Sequence, residues 1–123
     1  MALRVLVVDD LAFMREAIRD ILENAGLVVA GEAADGAACV ESYQLIKPDV
    51  VLLDITMPVM NGLEALRTIR RADPNAIIVM CSALGQQQYI IRAIQLGARD
   101  FVVKPFRPER IVSAVKKAAR HNG

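Results

Sequence analysis

Apolar residues come in short runs at a regular interval along this chain. They lie at Arg4–Val8, Val28–Ala33, Val50–Asp54, 76–81 and Asp100–Val103, with starts 24, 22, 26 and 24 residues apart. Each interval has room for one helix and two connections. Val50-Val51-Leu52-Leu53 and Ile77-Ile78-Val79-Met80 do not alternate with polar residues. Strands covered on both faces have that composition, as in a parallel sheet. The intervening segments carry helical spacing instead. Met14, Ala17, Ile18, Ile21, Leu22 and Ala25 follow an i, i+3, i+4 pattern that Gly26 stops. A weaker second helix spans 37–45, opened by Asp35-Gly36 and closed by Lys47-Pro48. Leu63, Leu66 and Ile69 mark a third, ended by Asp73-Pro74, and a fourth spans 86–96 up to Gly97. The last carries Ile111, Val112, Val115 and Ala119 on one face, with Pro108 suited to its first turn. Five strand–helix units in a row predict an α/β domain with a parallel sheet. No linker, charge block or low-complexity stretch divides it, so 1–123 reads as a single domain.

Composition narrows the class. A chain of 123 residues, 54% hydrophobic and 24% charged, can bury a core without disulfides or structural metal. Aromatics are only 4% and Trp is absent, so the core is aliphatic. A net charge of +1 argues against nucleic-acid or membrane-surface binding driven by bulk charge. No apolar run approaches the roughly 18 residues of a spanning helix. The opening segment runs from Met1 through Val8 into Asp9-Asp10 and does not read as a secretory signal. Cys39 and Cys81 stand apart with no Cys-x-x-Cys, which predicts a reduced, cytoplasmic chain with both thiols as core fillers.

The polar residues at the strand ends carry the chemistry. The first strand runs into Asp9-Asp10, the third ends in Asp54, the fourth runs into Ser82 and the fifth into Lys104-Pro105. Open α/β sheets bind ligands beyond the carboxyl ends of their strands, where strand order reverses. The flavodoxin-like order 2-1-3-4-5 is adopted here from such sheets, not read from the residues. In that order the first and third strands are neighbours, and three carboxylates converge. Unpaired anions at short range repel, and burial sharpens the repulsion. A hard divalent cation answers it, and Mg²⁺ takes one or two carboxylates while keeping several waters. Lys104 adds a fixed positive charge and Ser82 a hydroxyl. Carboxylates, metal, lysine and hydroxyl together suit a phosphoryl group, with one carboxylate as the nucleophile. Taken singly, Asp10 or Ser82 could be a helix N-cap and Asp54 a turn residue. Their joint occurrence at four strand ends favours a site.

With Val7-Val8-Asp9-Asp10, Leu53-Asp54-Ile55-Thr56-Met57-Pro58, Met60-Asn61-Gly62, Ser82-Ala83, Gly97-Ala98 and Phe101-Val102-Val103-Lys104-Pro105-Phe106, the whole chain resembles a receiver domain of two-component signalling. Asp-Ile-Thr-Met-Pro-x-Met-Asn-Gly and Cys-Ser-Ala-x-Gly-Gln-Gln resemble stand-alone chemotaxis regulators of the CheY type, although a receiver cut from a larger regulator would end similarly to His121-Asn122-Gly123. The resemblance implies a doubly wound, flavodoxin-like (βα)5 fold. It implies that Asp54 accepts a phosphoryl group from a phosphohistidine on a sensor histidine kinase of the CheA type. Asp10, Asp54 and the Thr56 backbone carbonyl would ligate Mg²⁺ directly, and Asp9 through a water. Lys104, beside a cis Lys104-Pro105 bond, and Ser82 would contact the phosphoryl oxygens. Phe101 holds the aromatic switch position, without the hydroxyl of the Tyr often found there. Thr56 and Leu84 hold positions that tune phosphoryl lifetime. On phosphorylation Ser82 moves toward the new group, Phe101 turns inward, and the face of the fourth helix, fifth strand and fifth helix changes shape. Tyr89, Ile90, Gln95 and Phe101 are the expected output surface. The implied partners are the kinase and a flagellar motor switch protein or phosphatase, met by a monomer that turns over no external substrate.

Weaker signals are read more plainly. Ile90 and Ile91 are adjacent and cannot both face the sheet. Met57 and Met60 flank the phosphorylation loop and read first as core filler. Gln86-Gln87-Gln88 reads as a solvated first helical turn. Lys116, Lys117 and Arg120 suit a helix C-terminus, and His121 a solvated tail. Other functions fit less well. A phosphorelay carrier or a receiver detached from a transcription regulator would share every motif. A phosphatase of the haloacid-dehalogenase type resembles Asp-x-Asp after the first strand, whereas Asp54-Ile55-Thr56 is on the third and lacks the second acid. A flavodoxin resembles a Ser/Thr-rich phosphate loop, whereas Asp9-Asp10 would repel the phosphate of FMN.

Overall fold

The computed structural model describes residues 2–120. Five strand–helix units follow one another: β1 (Arg4–Val8), α1 (Ala12–Asn24), β2 (Val28–Ala33), α2 (Gly36–Ile46), β3 (Val50–Asp54), α3 (Gly62–Ala72), β4 (Ile78–Ser82), α4 (Gln87–Gln95), β5 (Asp100–Val103) and α5 (Pro108–Arg120). The strands form one parallel sheet in the order β2-β1-β3-β4-β5. The expected doubly wound, flavodoxin-like order is therefore the observed one.

The uninterrupted apolar strands are explained by burial on both faces. Val5, Val7, Val50, Leu52, Val79 and Val102 pack under α1 and α5, with Ile18, Leu22, Ile111 and Val115. Leu6, Val8, Val51, Leu53, Ile78 and Met80 pack on the other face, with Cys39, Leu66, Ile69 and Ala93. Successive residues of β3 thus alternate between two cores, and all five are buried. Both cysteines are buried and free. Met57 is buried and Met60 packs beside it, so both methionines fill the core. No helix among the described residues is long and apolar enough to cross a membrane.

Local signals set most boundaries. Asp35 caps α2 by accepting the Ala38 N–H at 2.8 Å, and Lys47 closes it in a left-handed conformation, φ 50°. Asn61 and Glu64 form a reciprocal capping box at the start of α3. Gly26 and Gly97 follow α1 and α4 at positive φ. One strand differs from expectation. β4 begins at Ile78, not at 76, and includes Ser82. Ala76 N–H is committed to Asp73 O in the turn after α3, while Ser82 still pairs with Val103. The expected His121 tail lies outside the described residues.

Candidate phosphoryl and metal site

Asp9 and Asp10 follow β1, Asp54 closes β3, and these strands are neighbours in the sheet. One carboxylate oxygen from each aspartate lies within 4.8 Å of the others. Asp9 is buried, Asp54 is 7% exposed and Asp10 faces solvent. Lys104, just past β5, donates to Asp9 Oδ2 at 2.8 Å and stands 3.5 Å from Asp54 Oδ1. Asp9 Oδ1 accepts the Leu11 N–H at 3.0 Å. Arg15 on α1 donates to the Asp9 carbonyl at 2.7 Å and to Glu32 at 3.1 Å, which ties the β1–α1 connection to β2. Asp10 is not an N-cap. Leu11 holds that position in α1, with no side-chain cap.

Burial pushes the Asp54 carboxyl up to about 6. Lys104 pulls it down, and the charges of Asp9 and Asp10 push it further up. For Lys104, burial favours the neutral amine, but the bond to Asp9 and the charge of Asp54 outweigh it and hold the ammonium above its ordinary range. Three carboxylates share one ammonium, leaving two negative charges without a counter-charge from this group. A hard divalent cation matches both that deficit and an all-oxygen donor set. The cluster could therefore hold a metal ion.

Ser82 Oγ is fully buried at the end of β4 and has no hydrogen-bond partner among the described residues. A buried hydroxyl without a partner is uncommon and costly. Asp54 lies opposite Cys81 in the sheet, so Ser82 sits one residue beyond it at the same rim. The adjacent Cys81 thiol is pushed up to about 12 by burial, so it is no competing nucleophile at neutral pH. The loop after Asp54 is held close to the sheet. Gly62 N–H donates to Ile55 O at 2.8 Å, and a Cβ on Gly62 would collide with the Asp54 carbonyl. The Lys104–Pro105 peptide is cis.

Three features of the site have no strong signal in the sequence. Arg15 reads as one of two surface cations on α1. Gln86 reads as solvated, yet its side chain accepts the Ala83 N–H and donates to Thr56 Oγ1, both at 2.7 Å. Leu11, Phe13, Val59 and Leu84, in or beside the connections after β1, β3 and β4, are 45%, 66%, 84% and 75% exposed. They supply an apolar rim at the same end of the sheet. Away from the acids, Phe101 is half-buried in β5, and its carbonyl accepts from Arg110 at 2.7 Å. Tyr89 and Gln95 are exposed on α4. Of the adjacent isoleucines, Ile90 packs against the core and Ile91 is 61% exposed.

Residues 5–116 match the response regulator receiver domain. The chain belongs to that family. As a receiver domain it is 54% identical over 120 residues to the chemotaxis protein CheY of Thermotoga maritima, covering 98% of this chain and all of the relative. To CheY of Bacillus subtilis it is 53% identical over 117 residues, covering 95% of this chain and 98% of the relative. Among solved structures it resembles a chain of the CheX–CheY–BeF3–Mg²⁺ complex of Borrelia burgdorferi. The TM-score is 0.89 at 36% identity, over 94% of this chain and 87% of that one. The family and the fold are thus those that the ordered motifs imply.

Proposed function

We propose that this receiver is a phosphorylation-activated switch of chemotaxis, with Asp54 as phosphoacceptor. The observation that carries the reading is one buried carboxylate set among two further aspartates, a lysine at 3.5 Å and an unpartnered hydroxyl. The likeness to CheY proteins along nearly the whole chain supports the chemotaxis assignment. The donor is a phosphohistidine on a sensor kinase of the CheA type. An Asp54 oxygen attacks phosphorus, a P–O bond forms, the P–N bond breaks, and the imidazole leaves with the electron pair. Asp10, Asp54 and the Thr56 carbonyl would hold Mg²⁺ directly, and Asp9 would act through a water. Both Asp9 oxygens already accept hydrogen bonds, whereas Asp10 is open to solvent. Bound Mg²⁺ supplies charge neutralisation for the incoming group. Lys104 pairs with phosphoryl oxygen, and Ser82 Oγ gains the acceptor it lacks.

The donor approaches across the apolar rim of Leu11, Phe13, Val59 and Leu84. Output leaves by α4, β5 and α5, where Tyr89, Ile91 and Ile94 are exposed and Phe101 is half-buried. The partner there is a flagellar motor switch protein or a phosphatase. A CheY in complex with CheX among the related structures supports a protein partner. The protein acts as a cytoplasmic monomer and catalyses only its own phosphorylation and dephosphorylation. Borohydride trapping tests the acceptor. After treatment with acetyl phosphate and Mg²⁺, reduction converts the acyl phosphate to homoserine, and peptide sequencing is expected to find it at position 54. Homoserine at Asp9 or Asp10 would contradict the assignment.

A further inference from the structure

Gln86 hydrogen-bonds two connections to each other through its side chain. It stands at the start of α4 in a non-helical conformation, φ −104° and ψ 27°. Its Oε1 accepts the N–H of Ala83, the residue after Ser82, and its Nε2 donates to Oγ1 of Thr56, two residues after Asp54. Both bonds are 2.7 Å, and together they link positions 30 apart in the chain. We infer that Gln86 is a positioning residue: a clasp between the β4–α4 and β3–α3 connections that holds the site in its resting arrangement. The inference rests on the phosphoacceptor reading of Asp54.

The direction follows from the bonding at Ser82 and Ala83. Ser82 Oγ is buried and unpartnered, so it gains a bond only when an acceptor arrives on Asp54. Phosphorylation brings strong anionic acceptors. The backbone N–H beside Ser82 is then in demand as well, because a bond to an anionic oxygen is about twice as strong as one to a neutral amide. Gln86 Oε1 occupies that N–H at rest. Drawing Ser82 and Ala83 toward Asp54 therefore breaks the clasp and frees the first turn of α4. A contact made only in the resting state lowers the fraction of molecules ready for ligand, so its removal tightens apparent binding.

The test is beryllofluoride binding in the presence of Mg²⁺, followed by amide resonances, for wild type, Gln86→Ala, Thr56→Val and the double variant. Thr56→Val keeps the backbone carbonyl and removes only the hydroxyl. Thr56→Val loses one of the two bonds and is expected to tighten binding about fivefold, the effect of one neutral hydrogen bond; Gln86→Ala loses both and is expected to tighten it at least as much, and the double variant to match Gln86→Ala. The Ala83 amide resonance is expected to move in resting Gln86→Ala. Unchanged or weaker binding in the single variants, or additive gains in the double, would overturn the clasp while leaving Asp54 as acceptor. A wild type that binds no beryllofluoride would overturn both.

Discussion

At Asp54, burial and like charge act in one direction. Its carboxyl is pushed from 3.8 to about 6, so in the absence of metal the folded protein holds a proton there more tightly than the unfolded chain does. The stability from that protonation is complete below the unfolded value and is lost as pH rises through about 6. Asp54→Asn removes the penalty. In EDTA it is expected to gain about 1–3 kcal/mol over wild type at pH 7.5, with the gap closing toward pH 4. Thermal melts at both pH values check this, and a gap that does not change with pH would contradict it. Asp9 and Asp10 differ in a second way. Lys104 and the Leu11 N–H engage Asp9, while Asp10 is exposed. Asp10→Asn is therefore expected to weaken Mg²⁺ about tenfold more than Asp9→Asn, measured by titration calorimetry; equal losses would refute the division of roles. These acids were legible because a charged residue ending an apolar strand needs a reason. Gln86 was not, because a polar side chain near a helix start satisfies every local rule, and its second partner is 30 residues away.

Among the elements, the β3–α3 connection is the most constrained. Gly62 packs where a side chain would strike the Asp54 carbonyl, and Gly36 N–H holds Met60 O at 2.8 Å. Between them Val59 sits at φ 67°, 84% exposed. A β-branched residue pays about 1–2 kcal/mol for that conformation. Asn tolerates it better, so Val59→Asn is expected to stabilise the protein by about 1 kcal/mol in urea unfolding, and a loss of stability would show that the Val side chain is needed there. The helices were legible from apolar phase and punctuation: Gly26 after α1, Asp35 and Lys47 around α2, Pro108 at the head of α5. The start of β4 was not. Ala76 and Ile77 are apolar and buried, but the Asp73 turn claims the Ala76 N–H. Helix α4 is the least anchored. Its fully buried side chain is Ala93 alone, with Tyr89, Ile91 and Ile94 exposed, so a small change at Gln86 has little packing to overcome.

For the molecule as a whole, the sheet separates two cores and gathers the reactive groups at one end. Periodicity made the alternation of strands and helices legible, since strands buried on two faces must be apolar throughout. It did not determine strand order, which depends on how the connections cross the sheet and came from likeness to other folds. The observed order places β1 beside β3 and β4 beside β5, so Asp9, Asp10, Asp54, Ser82 and Lys104 meet although 95 residues separate Asp9 from Lys104. At this junction the proposed chemistry is phosphorylation of Asp54. Intact mass after incubation with acetyl phosphate, with and without Mg²⁺, on wild type and Asp54→Asn, tests it directly. Wild type is expected to gain one phosphoryl group only when Mg²⁺ is present, and the variant none. An equal gain in Asp54→Asn, or a gain in wild type that ignores Mg²⁺, would contradict it.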